Sequence, residues 1–308
     1  MKMWLINSSN KNRNKSEGAA HIIFVICAFL AVFAVASITI YMIINGTPAL
    51  FSIGVKEILF TGVWKPTAAE PQYGILYVIL TSIVGTGLAV LIGVPIGVFT
   101  AIFLAEVAPK RVAGVIQSAV ELLAGIPSVV YGLLGIYLLS PLMYKIELAI
   151  FEGSSTHQFT GGANLLAAVV VLAIMILPTV INISVSALRA VPPQIKSASL
   201  SLGASRIQTI FKVMLPAAKS GIMSAIILGV GRAVGEAMAV TLVSGSSVNL
   251  PLPFHSVRFL TTAIVAEMGY SSGMHRKVLF TIGLVLFCFI MLLNLLMTRL
   301  LKKQEVET

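Results

Sequence analysis

Long apolar runs separated by short polar stretches dominate this chain. A helix crosses the hydrocarbon core in about 20 apolar residues. Six runs meet that measure, near residues 22–45, 74–104, 115–142, 163–188, 221–244 and 278–300. The pattern predicts an all-α membrane protein with six transmembrane helices. The first run follows Lys2, Lys11, Arg13 and Lys15, and Ala34-Val35-Ala36 imitates a cleavage site. Its apolar residues continue through Ile44, which is too long for a signal-peptide core, so it is read as a retained span.

Composition supports the membrane reading. The chain has 308 residues, of which 57% are hydrophobic and 10% charged, and a mean hydropathy of +0.99. A soluble domain carries about a quarter charged residues. All the acids are glutamate, which argues against carboxylate-rich Mg²⁺ sites. The histidines, His21, His157, His255 and His275, show no metal-ligand spacing. Cys27 and Cys288 each sit in an apolar run and read as small hydrophobes without a disulfide role.

The net charge of +10 encodes topology more than a nucleic-acid partner. Basic residues crowd the N-terminal tail, Lys110 and Arg111, the 189–220 loop, and Arg299, Lys302 and Lys303. The alternate loops hold Lys56, Lys65, Lys145, Arg258, Arg276 and Lys277. The richer side is cytoplasmic by the positive-inside rule, which places both termini inside. The chain divides into an N-terminal tail (1–20), a first span with its outer loop (21–60), a core (61–300) with a cytoplasmic loop at 190–219, and a C-terminal tail (301–308).

Within the fifth run, Arg232-Ala233-Val234-Gly235-Glu236 places two full charges in an apolar setting. An arginine at the bilayer centre costs roughly 2.5–3.5 kcal/mol on insertion scales, so such residues pair or line a pathway. The i, i+4 spacing predicts one helical face with the two side chains in reach. A sequestered guanidinium also suits an oxyanion. Two readings stay open: a static ion pair that fixes helix packing, or an anion pathway in which Glu236 holds Arg232 between passages.

The second run is rich in small residues, with Gly85, Gly87, Gly93 and Gly97 around Pro95. Such residues permit close helix approach in lipid. Pro95 and Pro127 are expected to kink their helices. In the fourth run Pro178 precedes Asn182 and Ser186, a polar face that should meet protein or water. Glu121 reads as an interfacial carboxylate. The outer loop 245–277 is either a plain connection or an outer gate, with a short re-entrant or surface helix over its apolar 259–266 stretch. No strong internal repeat is visible, which counts against an inverted-repeat transporter. No nucleophile–base constellation supports an intramembrane enzyme.

The 190–219 loop is organised. Pro192-Pro193 halts the fourth span, and a short helix is predicted from Gln194 to Leu202 with Gly203 as its stop. Ile207, Ile210, Phe211 and Met214 then repeat at i, i+3, i+4, i+7 as one apolar face. Gly203, nine residues, Val213 and Leu215-Pro216 resemble the "EAA" loop of binding-protein-dependent ABC importer permeases. The opening triplet of that loop falls on Ser197-Ala198-Ser199, so its glutamate and second alanine are replaced. Trp64-Lys65-Pro66 with Tyr73-Gly74 is similar to the region before the second span in phosphate importer permeases. The stretch from Leu123 to Gly132 and Gly231 to Glu236 with Met238-Ala239-Val240 resemble the PstC-type subunit. Ala237 stands where that family usually has threonine, and Thr241 lies one turn on.

The resemblance runs from about residue 60 to the C-terminus and implies a MetI-like permease core. It implies a heterodimer with a PstA-type permease, two PstB-type ATPase subunits and an external PstS-type phosphate-binding protein, within membrane lipid and with no nucleic acid. The coupling surface would comprise Ser197, Ala198, Ser199, Leu200, Gly203, Leu215 and Pro216. The substrate pathway would include Arg232, Glu236 and Thr241. No GxxxxGK[ST] loop occurs in the chain, so ATP and Mg are expected on the partner ATPase, with no cofactor in this chain. The cargo implied is inorganic phosphate, with another oxyanion such as molybdate or sulfate as the alternative.

Overall fold

The computed structural model describes residues 2–306, and side chains over 21–299. Helix α1 (Lys2–Ile53) leads into α2 (Val55–Phe60) and a hairpin of two-residue strands, β1 (Trp64–Lys65) and β2 (Gln72–Tyr73), the only named strands among the described residues. Then come α3 (Leu76–Ile102), α4 (Lys110–Ala124), α5 (Ser128–Leu134), α6 (Ser140–Ile150) and α7 (Leu165–Arg189). The loop helices are α8 (Pro193–Ser201), α9 (Arg206–Thr209) and α10 (Leu215–Ala217). The chain closes with α11 (Lys219–Gly235), α12 (Met238–Val243), α13 (Leu260–Glu267) and α14 (Gly273–Val306). π-Helical turns at Phe103–Val107, Gly135–Leu139 and Ile210–Met214 join several of these. The stretches read as terminal tails continue α1 and α14 as helix, and their side chains lie outside the described residues.

Five helical segments are long and apolar enough to cross a membrane: His21–Ile53, Leu76–Val107, Ser128–Ile150, Leu165–Arg189 and Gly273–Arg299. The sixth crossing is α11, bent by 69° from the Arg206–Ala217 segment. The third crossing differs from the expected 115–142. Lys110 to Ala124 forms a separate helix, α4, that buries Ala113 and Val120 and leaves Glu121 exposed. Gly125-Ile126-Pro127 ends it, because proline brings no N–H and pushes its predecessor out of the helical region. The crossing then starts afresh at Ser128. Pro127 thus separates two helices, whereas Pro95 and Pro178 remain inside α3 and α7.

Helix α7 is the central post. In its most apolar window 61% of residues are buried, against none for α1. Its neighbours approach through glycine. A Cβ on Gly97 of α3 would stand 2.8 Å from Val180, and one on Gly229 of α11 would stand 2.9 Å from the same valine. Gly93 likewise meets Ile176 of α7. Lipid gives no hydrophobic drive for helix association, so these close van der Waals contacts supply it.

The core has three parts. One surrounds the first half of α7, with α5, α12, Val257 and Phe259. One lies at the end that carries the 190–219 loop, where Ala113 and Val120 meet Val185, Leu188, Ile210 and Met214. The third, at the opposite end, joins the end of α1, α2, α13 and the start of α14. Helix α1 is otherwise exposed along its apolar length and is held where Thr281 donates to the Gly46 carbonyl at 2.7 Å.

Candidate functional site

Helix α11 ends at Gly235. Seventeen residues at 1.5 Å each span about 26 Å, short of a full hydrocarbon core. The crossing is completed by α12 after a two-residue break at Glu236 and Ala237. Backbone broken at membrane depth is tolerated where protein or a cavity surrounds it. The break is stapled: Thr261 of α13 donates to the Glu236 carbonyl at 2.7 Å, and a Glu236 carboxylate oxygen accepts the Ala239 N–H at 2.8 Å.

This corrects the expected Arg232–Glu236 pair. The i, i+4 relation requires continuous helix, but Glu236 is extended at ψ 126°. Its carboxylate turns to the start of α12 rather than to the guanidinium. Arg232, half-buried in the last turn of α11, donates from Nη1 to Thr179 Oγ1 of α7 at 3.3 Å. That position suits a cation, since the helix C-terminus carries partial negative charge. Thr241 donates to the Ala237 carbonyl at 2.7 Å within its own helix, which leaves its oxygen free to accept. Asn182, one turn along α7 from Thr179, has its Oδ1 buried without a partner, as has the Ser184 hydroxyl. Ser186 bonds back to the Asn182 carbonyl at 2.9 Å.

The loop forms as expected through Gly203. Helix α8 has no buried residue, and Ser197, Ala198 and Leu200 are exposed. Gly203 follows at φ +84°, a left-handed conformation that costs glycine little. Ser205 and Gln208 form a reciprocal cap that starts α9. Two bonds hold α8 to the body: Lys196 Nζ lies 2.5 Å from Glu106 Oε2 at the end of α3, and Ser199 and Thr209 hydroxyls stand 3.0 Å apart. The expected single apolar face divides. Ile210 and Met214 are buried, while Ile207 and Phe211 are exposed. The π-helical turn at Ile210–Met214 changes the angular step between residues. Leu215 is half-buried and Pro216 exposed beside the bend. Leu202 at 88% and Ile207 at 70% are strongly exposed beside α8.

Two networks at the opposite end were missing from the sequence reading. Glu147 of α6, fully buried, accepts from the Thr160 N–H and hydroxyl at 2.9 Å each and lies 2.8 Å from His157 Nε2. Glu267 at the end of α13 holds Arg258, lies 2.7 Å from His275 Nε2, and accepts from Trp64 Nε1 at 3.1 Å. Burial pushes the neighbouring Tyr73 phenol up. The 259–266 stretch is a short helix, α13, whose first turn is buried against protein, so it is not a surface helix. No helical or strand spacing marks these groups, because their partners sit across turns or, for Trp64, on a distant segment.

A family model described as "Binding-protein-dependent transport system inner membrane component" matches residues 93–305. The chain is 40% identical over 301 residues to the "Probable ABC transporter permease protein YqgH" of Bacillus subtilis, covering 95% of this chain and 94% of that one. It is 32% identical over 288 residues to the "Phosphate transport system permease protein PstC" of Haemophilus influenzae, covering 90% of each. Its fold is similar to that of a bacterial alginate ABC transporter in complex with an alginate pentasaccharide-bound periplasmic protein, with TM-score 0.58, 17% identity and coverage of 88% and 95%. It also resembles the inward facing MetNI methionine ABC transporter, with TM-score 0.52, 19% identity and coverage of 75% and 94%.

Proposed function

Because this chain belongs to the family of binding-protein-dependent transport system inner membrane components, we propose that it carries inorganic phosphate, as the PstC-type subunit of an ATP-driven importer. It is an ABC importer permease of MetI-like fold, a multi-pass inner-membrane protein and not an enzyme. Permeases of this family work with ATPase subunits and a binding protein. The finer partners are a PstA-type second permease, two PstB-type ATPases and an external PstS-type protein, with the termini of this chain in the cytoplasm.

The single observation that carries the reading is Arg232 in a broken crossing, resting on a neutral hydroxyl. A 3.3 Å bond to Thr179 is long. An arriving oxyanion offers two charge-assisted bonds in its place. Glu236 and the C-terminal end of α11 oppose negative charge nearby, which limits how tightly the anion is held. Closure of the ATPases moves α8 and the segment to Leu215, and these move α11 through its bend, so that access alternates. Helix α8, with no buried residue and Ser197, Ala198 and Leu200 exposed, supports this coupling role.

Phosphate uptake by the reconstituted complex tests the assignment. Arg232→Gln should lower uptake at least tenfold with both permeases and the ATPases still co-purifying. Unchanged uptake would remove Arg232 from the pathway. The alternative cargo is another oxyanion, kept open by the Bacillus subtilis relative, whose name specifies no substrate. Molybdate or sulfate displacing labelled phosphate at equal concentration would favour it.

A further inference from the structure

A groove of about 320 Å³ opens between α3 and α11. Val94, Val98 and Phe99 form one wall, and Met223 and Ile226 the other. Apart from Lys219 its wall is apolar. Lys219 stands at one end, exposed, and makes no hydrogen bond or ion pair among the described residues. It is the first residue after the 69° bend, where the Arg206–Ala217 segment turns into the crossing. That bend sets the depth: one arm crosses the bilayer, so the elbow lies at the headgroup level.

We propose that this groove holds an acyl chain of an anionic phospholipid, with the Lys219 ammonium on the lipid phosphate. An apolar slot that ends in a lone cation fits one occupant of the bilayer best, a chain with a negative head. Basic pockets between transmembrane helices recognise such headgroups. The surroundings agree, since the 189–220 segment also carries Arg189, Arg206 and Lys212 and no acid of its own, Lys196 being paired with Glu106. Free phosphate has no use for the apolar walls. A helix of the second permease would need an acid at the elbow to satisfy Lys219. Pro95 also lies in the groove wall, within α3.

The site requires only that the chain spans a bilayer, and holds whatever the transported anion is. The complete importer, placed in nanodiscs of equal phosphatidylglycerol and phosphatidylcholine and then extracted, is assayed by native mass spectrometry for retained lipid. Wild-type complex is expected to keep phosphatidylglycerol over phosphatidylcholine. Lys219→Glu should lower that retention at least fivefold, and Ile226→Trp, which fills the slot without touching the charge, should do the same. Excess inorganic phosphate should not displace the lipid. Equal retention in all three proteins overturns the proposal. So does loss of the second permease from the Ile226→Trp complex with lipid unchanged, which would give the groove to that chain. Displacement by phosphate would make Lys219 a simple anion site and overturn it as well.

Discussion

Lys196 on the exposed helix α8 reaches Glu106 at the end of α3, with Nζ 2.5 Å from Oε2. The carboxylate is only 6% exposed and the lysine 40%. The pair joins the exposed helix α8 to a crossing that packs against α7. Under the proposed coupling role it would pull α3 when α8 moves.

Glu106→Gln and Lys196→Met should therefore separate hydrolysis from transport. The complex assembles, ATP is hydrolysed at near wild-type rate, and uptake per ATP falls about threefold to tenfold. Parallel uptake and phosphate-release assays on proteoliposomes measure that ratio. A ratio equal to wild type would reduce the contact to a surface ion pair, worth about 0–1 kcal/mol.

Thr179→Val removes the partner of Arg232 but leaves the guanidinium in place. The side chain is then freer for the anion, and KM for uptake should shift more than the maximal rate. Arg232→Gln should instead lower the maximal rate. Saturation curves for both variants separate these outcomes, and identical loss in both would point to a purely structural contact.

Glu147→Ala would leave the Thr160 N–H and hydroxyl and His157 without their acceptor in a buried site. The cost should be about 3 kcal/mol. Thermal unfolding of the detergent-solubilised complex should fall by several degrees, and a melting point unchanged from wild type would contradict the buried network.

Glu267→Ala strips the counter-charge from Arg258, whose side chain is 15% exposed. Destabilisation of about 3–5 kcal/mol is expected. Trp64 loses its acceptor at the same time, so its emission should shift in a Trp4→Phe background. An unchanged spectrum would mean the indole is held by something else.

Gly97→Leu should weaken α3–α7 packing by about 1–3 kcal/mol, since a Cβ there already stands 2.8 Å from Val180. Gly87→Ala in the same helix meets nothing within 4 Å and should be neutral or slightly stabilising. Expression level and melting temperature of the two variants compare them directly.

Hydropathy located the crossings because lipid imposes one rule along each apolar run. It failed at 115–142, where α4 and the following crossing abut through Gly125-Ile126-Pro127 without a polar gap. The loop through Gly203 was legible because proline and glycine act locally. Arg232 was legible as a charge out of place, but its partner was not. The i, i+4 rule assumed unbroken helix, whereas Thr261 and the Ala239 N–H fix a break at Glu236. Lys196–Glu106 and Glu267–His275 couple segments far apart in sequence or across a turn, and no periodicity marks them.

The interruption after Gly235 makes this level of the membrane a poor resting place for an anion. The last carbonyls of α11 lack helical donors, and the Glu236 carboxylate adds its own charge beside them. A single guanidinium offsets both. If phosphate passes Arg232 as proposed, its residence is brief, and a brief visit gives little chance to weigh one tetrahedral ion against another. Discrimination would then be delegated upstream, to the binding protein that delivers the cargo, and the membrane subunit would set pace and direction.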